Sequence, residues 1–192
     1  MFSDFTAELV LRAYALGIFP MGNDDGVIRW YSPDPRCIID LTDFHIPKRL
    51  ARTYRQGIFQ MKVNSAWGAV LHGCAARDST WITEDILKVY TQLHHMGFAH
   101  SVEAYKDGKL AGGLYGVSIR GAFMGESMFH RQTDASKVCL VYLVNRLKER
   151  GFTVLDSQYM TEHLSTFGAQ NISRDRYLVM LQEALQRDCR FA

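Results

Sequence analysis

Apolar and polar positions along this chain switch between a helical and a strand period, and the changes of period mark its elements. Thr6 can cap a helix over 7–16 that Gly17 stops. The stretch IFPMGNDDG (18–26) is turn-rich. WYSPDPR (30–36) cannot be helical, because a residue that precedes proline avoids the α region. HIPKRLARTYRQG (45–57) reads as a basic helix starting at Pro47, FQMKV (59–63) as a short strand and 65–75 as a helix. Thr83 caps the next helix, which carries Glu84 and Asp85 in its positive first turn and ends before Gly97. A meander follows. HSVEAYK (100–106) turns at Asp107-Gly108 into KLAGGLYGVSI (109–119), which turns at Arg120-Gly121 into GAFMGESMFH (121–130). Asp-Gly is a strong hairpin signal. Next come a helix over 135–150 stopped by Gly151, strand FTVLDSQ (152–158), a short helix over 161–167 and a Ser173-capped helix over 174–187.

This order predicts an α+β fold: a mixed, largely antiparallel sheet flanked by helices. A boundary near 36 separates a small N-terminal domain (1–36) from a main domain (37–192). With 192 residues, 47% apolar and 22% charged, the chain can bury a sizeable core without staples. Its net charge of +2 gives no bulk argument for nucleic acid, so a basic surface must be local. Lys48, Arg49, Arg52 and Arg55 form the best such cluster, and positions 48, 52 and 55 line one helix face. Cys37, Cys74, Cys139 and Cys189 lack CxxC spacing and read as reduced thiols rather than a disulfide frame or zinc site. His94 and His95 are adjacent, so they do not share a face to hold a metal. No apolar run reaches about 18 residues and no signal peptide is recognisable, so the expectation is a cytoplasmic protein without a membrane span.

The candidate chemistry lies in 112–137 and 155–158. Strict alternation puts Glu126 and Met128 on one strand face, and Asp156 and Gln158 on another. Polar groups among Phe123, Met124, Met128, Phe129, Val154 and Leu155 are costly to bury without partners, which points to a site. A buried structural hydrogen-bond pair is the competing reading of Glu126 and Asp156.

The element order is that of the GNAT acyltransferase fold, in which two central strands splay and the acyl donor enters the gap. GNAT acetyltransferases cradle the donor's pyrophosphate on a glycine loop at a helix N-terminus. Here that loop is Arg131-Gln132-Thr133-Asp134-Ala135-Ser136: both glycine positions are filled, one by an aspartate that repels phosphate. A coenzyme A site is therefore disfavoured, and Asp134 reads as a helix N-cap.

YALGIFP (14–20), WYSPDPR (30–36), HIPK (45–48), TWIT (80–83), GGLYGV (112–117), GESMF (125–129), DASK (134–137) and LDSQ (155–158) resemble the leucyl/phenylalanyl-tRNA–protein transferase family, and HLSTFGA (163–169) with ISRDRYL (172–178) continues the match. The resemblance spans nearly the whole chain in order. It implies a GNAT-like catalytic domain behind a small N-terminal domain. It also implies transfer of Leu, Phe or Met from aminoacyl-tRNA to the α-amino group of proteins beginning with Arg or Lys, which marks them for degradation. No metal or small cofactor is implied, and the expected state is a monomer.

By the same resemblance Glu126, Asp156 and Gln158 are the functional polar groups. Gln158 can orient the amine through its carbonyl or donate to an oxyanion. Asp156 can fix that amide or hold the amine, and Glu126 can attract the acceptor's cationic side chain. Leu114, Phe123, Gly125, Met128, Leu140, Leu143, Leu147 and Leu155 fall at the family's pocket positions, with Trp81 at the donor end. Methionine suits a pocket that must tolerate several shapes. Lys48, Arg52 and Arg55 match positions that contact tRNA, with Arg49 beside them. Met21 replaces an aromatic common in relatives and is expected to reshape the pocket. Two alternatives remain at this point: an acyl-CoA-dependent N-acyltransferase, and a tRNA-binding protein without catalysis.

Overall fold

The computed structural model describes residues 5–23, 25–76 and 80–192. In chain order the elements are α1 (Ala7–Ala15), β1 (Phe19–Gly22), β2 (Ile28–Tyr31), β3 (Arg36–Ile39), α2 (Lys48–Arg55), β4 (Gln60–Val63), α3 (Trp67–Ala75) and α4 (Glu84–His95). They continue with β5 (Ala99–Lys106), β6 (Lys109–Ile119), β7 (Ala122–His130), α5 (Ala135–Glu149), β8 (Val154–Gln158), α6 (Glu162–Ser165), β9 (Ala169–Ile172) and α7 (Arg174–Leu185). β1 and β2 form a separate hairpin; the others form one sheet in the order β4-β5-β6-β7-β8-β3-β9.

Local chemistry explains the element ends. Thr6, Thr83 and Ser173 each accept a hydrogen bond from a backbone N–H three residues on, which satisfies one donor of the first helical turn. Asp107 and Gly108 both take positive φ (51° and 73°), as a two-residue type I′ turn requires. Asp134 departs from its expected role. It caps nothing through its side chain and adopts φ 70°, because its carboxylate is drawn to Arg49 instead, at 2.6 and 2.7 Å. Pro47 precedes α2 rather than opening it. The four-residue strands β1, β2, β3 and β9 were not expected from the pattern. β3 and β9 complete the sheet by pairing in succession beyond β8, a tertiary effect that short runs do not announce.

Every neighbouring pair in the large sheet is antiparallel except β7 and β8. Those two run parallel and pair only at Ala122–Val154, Phe123–Leu155 and Met124–Asp156. Past Met124 they part, and the gap opens at Glu126 and Gln158. An antiparallel meander, a crossover helix and a parallel strand that splays from its neighbour make the architecture GNAT-like.

Apolar side chains fill both faces of the sheet. Leu114, Phe123 and Leu155 pack with Leu140, Leu143 and Leu147 of α5, and Leu50 of α2 joins them. Tyr14, Val70, Ile86, Tyr90, Met124 and Leu181, from α1, α3, α4, β7 and α7, fill the opposite face. Gly112 lets α5 approach: a Cβ there would lie 2.8 Å from Ala135 Cβ and from the Phe129 carbonyl oxygen. Among the described residues no helix is long and apolar enough to cross a membrane.

Candidate active site

The site is shaped by two bulges that strict alternation does not foresee. Gly116 pairs with Gly125 and Tyr115 with Ser127, so Glu126 is an extra residue in β7. Before it Phe123 faces α5 and Met124 the opposite side; after it Met128 faces α5 and Phe129 the opposite side. Glu126 and Met128 therefore do not share a face. The inserted residue turns the carboxylate toward α1 and α4 and sends Met128 under α5. Gly116, opposite the bulge, has no room for a Cβ, which would lie 2.3 Å from the Met124 carbonyl oxygen. A second irregularity falls at Ser157, and Gln158 takes φ 61°. The Ser157 hydroxyl donates to the Cys37 carbonyl at 3.2 Å, which holds this kink.

Glu126 is surrounded by neutral donors. Its Oε1 accepts from the Tyr14 hydroxyl at 2.6 Å and from Gln158 Nε2 at 3.2 Å, while Tyr90 reaches Oε2 at 3.4 Å. With the Tyr14 proton given to Glu126, the single Tyr90 proton goes either to the Tyr14 oxygen at 2.5 Å or to Oε2. Burial pushes the Glu126 carboxyl up to about 8, and the nearby Asp156 charge adds to this; the two phenols and Arg36 pull it back. Burial likewise raises both phenols well above their usual range, so they stay protonated.

Asp156 has a different environment. Arg36 Nε and Nη2 donate to its two oxygens at 2.8 and 2.6 Å, and both side chains are fully buried. Tyr177 donates to Oδ2 at 2.9 Å, and the Gln158 backbone N–H donates to Oδ1 at 2.9 Å. Arg36 also donates to the Gly17 carbonyl at 3.0 Å, and its guanidinium lies over the Phe19 and Tyr177 rings at 4.8 and 4.3 Å. Burial opposes the charge of Arg36, but Asp156 more than offsets it, so the guanidinium ends above its ordinary value. The expectation that Asp156 fixes the Gln158 amide is corrected: it holds that residue's backbone, and the amide goes to Glu126. Nor do Glu126 and Asp156 bond each other; each has its own partners.

A cleft of ≈ 380 Å³ adjoins these groups. Trp81, Leu114, Gly125, Met128, Leu140, Leu143 and Leu155 line it, with Ile39, Tyr159, His163 and Leu164 beside them. Phe123 and Leu147 do not line it; they are wholly buried in the core behind it. Met21 packs against the core on the opposite face and is not part of the cleft wall. Lys48, Arg52 and Arg55 are exposed and form no ion pair among the described residues. Arg49, one residue off that face, is held by Asp134. No group of three or more His, Cys, Asp or Glu among the described residues is placed to hold a metal ion.

Sequence reasoning missed Tyr14, Tyr90, Arg36 and Tyr177. The tyrosines sit at apolar helix positions and read as core. Arg36 carried a usable signal, since an arginine heading the apolar run RCII needs a buried counterion.

A GNAT-like sheet whose splayed strands open onto an apolar cleft, closed at one end by a carboxylate and an amide, has the form of an acyltransferase site. Comparison with known proteins narrows the class. The family model Leucyl/phenylalanyl-tRNA protein transferase matches residues 38–182, and that family's N-terminal domain matches 3–34. The chain belongs to the leucyl/phenylalanyl-tRNA–protein transferase family. It is 52% identical over 183 residues to the protein of that name from Salinibacter ruber, covering 95% of this chain and 81% of the relative. Against the protein of the same name from Rhodopseudomonas palustris it is 51% identical over 196 residues, covering 99% and 87%. Among solved structures, a conserved protein of unknown function from Bacteroides thetaiotaomicron shares the fold, with TM-score 0.50 and 10% identity over 78% of this chain and 55% of that one.

Proposed function

We propose that this chain transfers Leu, Phe or Met from aminoacyl-tRNA to the α-amino group of proteins beginning with Arg or Lys, as a cytoplasmic monomer whose products are marked for degradation. The observation that carries the reading is the contrast at the end of the apolar cleft. Asp156 already has its cation, whereas Glu126 has only neutral donors and no ion pair among the described residues. A carboxylate so placed fits the cationic side chain of the acceptor's first residue.

The remaining geometry supports the chemistry. The aminoacyl side chain fills the space among Leu114, Met128, Leu140, Leu143 and Leu155, which brings its ester toward Gln158. With the acceptor's cation beside it Glu126 is ionised and offers only acceptors, so the Gln158 Nε2 faces it and the Oε1 is left to accept an N–H of the attacking amine. Gln158 thus orients the amine rather than removing its proton. The amine nitrogen bonds to the ester carbonyl carbon, the carbon–ribose oxygen bond breaks, and the amine's proton ends on the ribose oxygen. An α-amino group with pKa near 7.7–8.0 is already partly nucleophilic at neutral pH, so positioning is the main demand.

Asp156 acts at one remove. Its oxygens are taken up by Arg36, Tyr177 and the Gln158 backbone, so it is a positioning residue that sets the turn carrying the Gln158 amide. Lys48, Arg52 and Arg55 supply phosphate contacts on the tRNA, insensitive to base sequence. The division into an N-terminal piece (1–36) and a catalytic unit (37–192) belongs to the same proposal, with the first lending Tyr14 to the site.

Transfer of labelled leucine from charged tRNA to a peptide beginning with Arg, beside one beginning with Ala, tests the reading. Label on the Arg peptide alone supports it. Equal labelling removes the role given to Glu126, and no labelling removes the enzyme.

A further inference from the structure

A second basic surface lies where α2, the β5–β6 hairpin and the loop between β7 and α5 meet. Between these segments lies an open cleft of ≈ 490 Å³ whose polar lining includes Arg49, Lys106, Arg131, Gln132, Thr133 and Asp134. Three of these side chains are cationic and one is anionic. The anion is already neutralised: the Asp134 side chain is 4% exposed, and Arg49 grips both its oxygens. Left alone, Asp134 would repel a phosphate; paired with Arg49 it does not. Lys106 and Arg131 have no carboxylate partner among the described residues, and the Arg131 guanidinium lies 5.5 Å over the Phe129 ring instead. The cleft therefore holds two uncompensated positive charges, with the Thr133 hydroxyl and the Gln132 amide beside them.

Further basic groups join this cleft to the acyl site. Lys137, in the first turn of α5, lies 4.0 Å from Asp134. It is also close enough to His163, a lining residue of the acyl cleft, to help burial hold that imidazole below its ordinary value, and His130 acts in the same direction. Arg131 follows the end of β7, five residues after Glu126, and so lies at most about 17 Å from it at ~3.3–3.4 Å per residue. A single-stranded tail of a few nucleotides covers that distance.

We propose that this cleft binds a backbone phosphate of the single-stranded 3′ end of the donor tRNA, through Lys106 and Arg131, a few nucleotides from the esterified ribose. The proposal rests on the aminoacyl-tRNA reading above and adds a contact site separate from the α2 face. The α2 cations lie along one helix face, whereas Lys106 and Arg131 border an open depression between three segments of the chain. A charge-assisted bond to phosphate there fixes the register of the strand, and so the position of the ester, without reading its bases.

The test compares wild type with a Lys106→Ala/Arg131→Ala double variant. Binding of an uncharged leucine tRNA is measured across salt, and transfer is measured from leucyl-tRNA and from leucyl-adenosine, a donor with the ester but no phosphate. The double variant is expected to bind tRNA about tenfold more weakly near 0.1 M salt, with a slope of log K against log salt shallower by about 0.7, the value for one single-strand phosphate. KM for leucyl-tRNA rises by a similar factor, the deficit vanishes with leucyl-adenosine, and Lys106→Arg/Arg131→Lys restores most of the affinity. Unchanged tRNA affinity and slope overturn the proposal. So does an equal deficit with leucyl-adenosine, which would show a merely structural effect. Displacement of tRNA from wild type by coenzyme A also overturns it, by assigning the cleft to a free pyrophosphate ligand. A wild type that binds tRNA yet transfers nothing sinks the enzymatic reading instead, and the binding comparison still decides the cleft.

Discussion

Two carboxylates stand on neighbouring strands beside one cleft, and their surroundings could hardly differ more. Asp156 is sealed from solvent and saturated by a guanidinium, a phenol and a backbone N–H. Glu126 is half-buried at the cleft and receives only phenols and an amide. The first has its counterion built into the fold. The second has none, and its carboxyl is accordingly pushed up to about 8 by burial. On the proposed reading, one acidic residue holds the site in place and the other is left open for a charge that arrives with substrate.

The largest effect that separates the two is expected from Asp156→Ala, which strands a buried guanidinium. Breaking such a pair costs about 3–5 kcal/mol, or roughly 10 °C of melting temperature for a chain this long. Calorimetry should show this loss, and Glu126→Gln should not share it. Gln158→Ala comes next. With the Asp156 network intact, stability should hold while kcat falls about a hundredfold, the scale of a lost orienting contact, and tRNA affinity stays the same.

A pH prediction sharpens the comparison. Glu126 binds its proton more tightly folded (about 8) than unfolded (near 4.5), so between those values the native state holds more protons than the unfolded state. Stability contributed by this group is thus present below about 4.5 and lost as pH rises through about 8. Glu126→Gln should flatten that part of the stability–pH curve in denaturant titrations; a curve that keeps its slope would place Glu126 in an ordinary solvated setting. Replacing Lys48, Arg52 and Arg55 by Ala should leave both carboxylates unaffected and reduce the salt slope of tRNA binding by about 2. The smallest effect is expected at Leu143→Ala, where a larger pocket should shift the Leu/Phe preference by about tenfold, the ~1–3 kcal/mol of one or two methylenes.

Much of the fold could be read in the chain because its signals are local. Thr6, Thr83 and Ser173 stand at helix starts, and Asp107-Gly108 makes its turn through the left-handed region, each with a short-range physical reason. The candidate site could be read as polar residues in apolar strands, but the directions of its side chains could not. Alternation assumes an unbroken ladder, and the extra residue at Glu126 breaks it at the point that matters. Arg36 and Tyr177 meet Asp156 from positions 120 and 21 residues away, contacts set only by tertiary packing. Asp134 follows the same rule: local preference suggested a cap, and a distant arginine claimed it.

The central claim is that Glu126 reads the acceptor's positive charge while Asp156 does not touch substrate. It is tested most directly by leucine transfer to two peptides that differ only at the first residue, Arg or its neutral isostere citrulline, with wild type and Glu126→Gln. The account predicts that wild type prefers Arg by about tenfold or more, in KM rather than kcat, and that Glu126→Gln loses the preference. A Glu126→Gln enzyme that still favours Arg to the wild-type extent would contradict it.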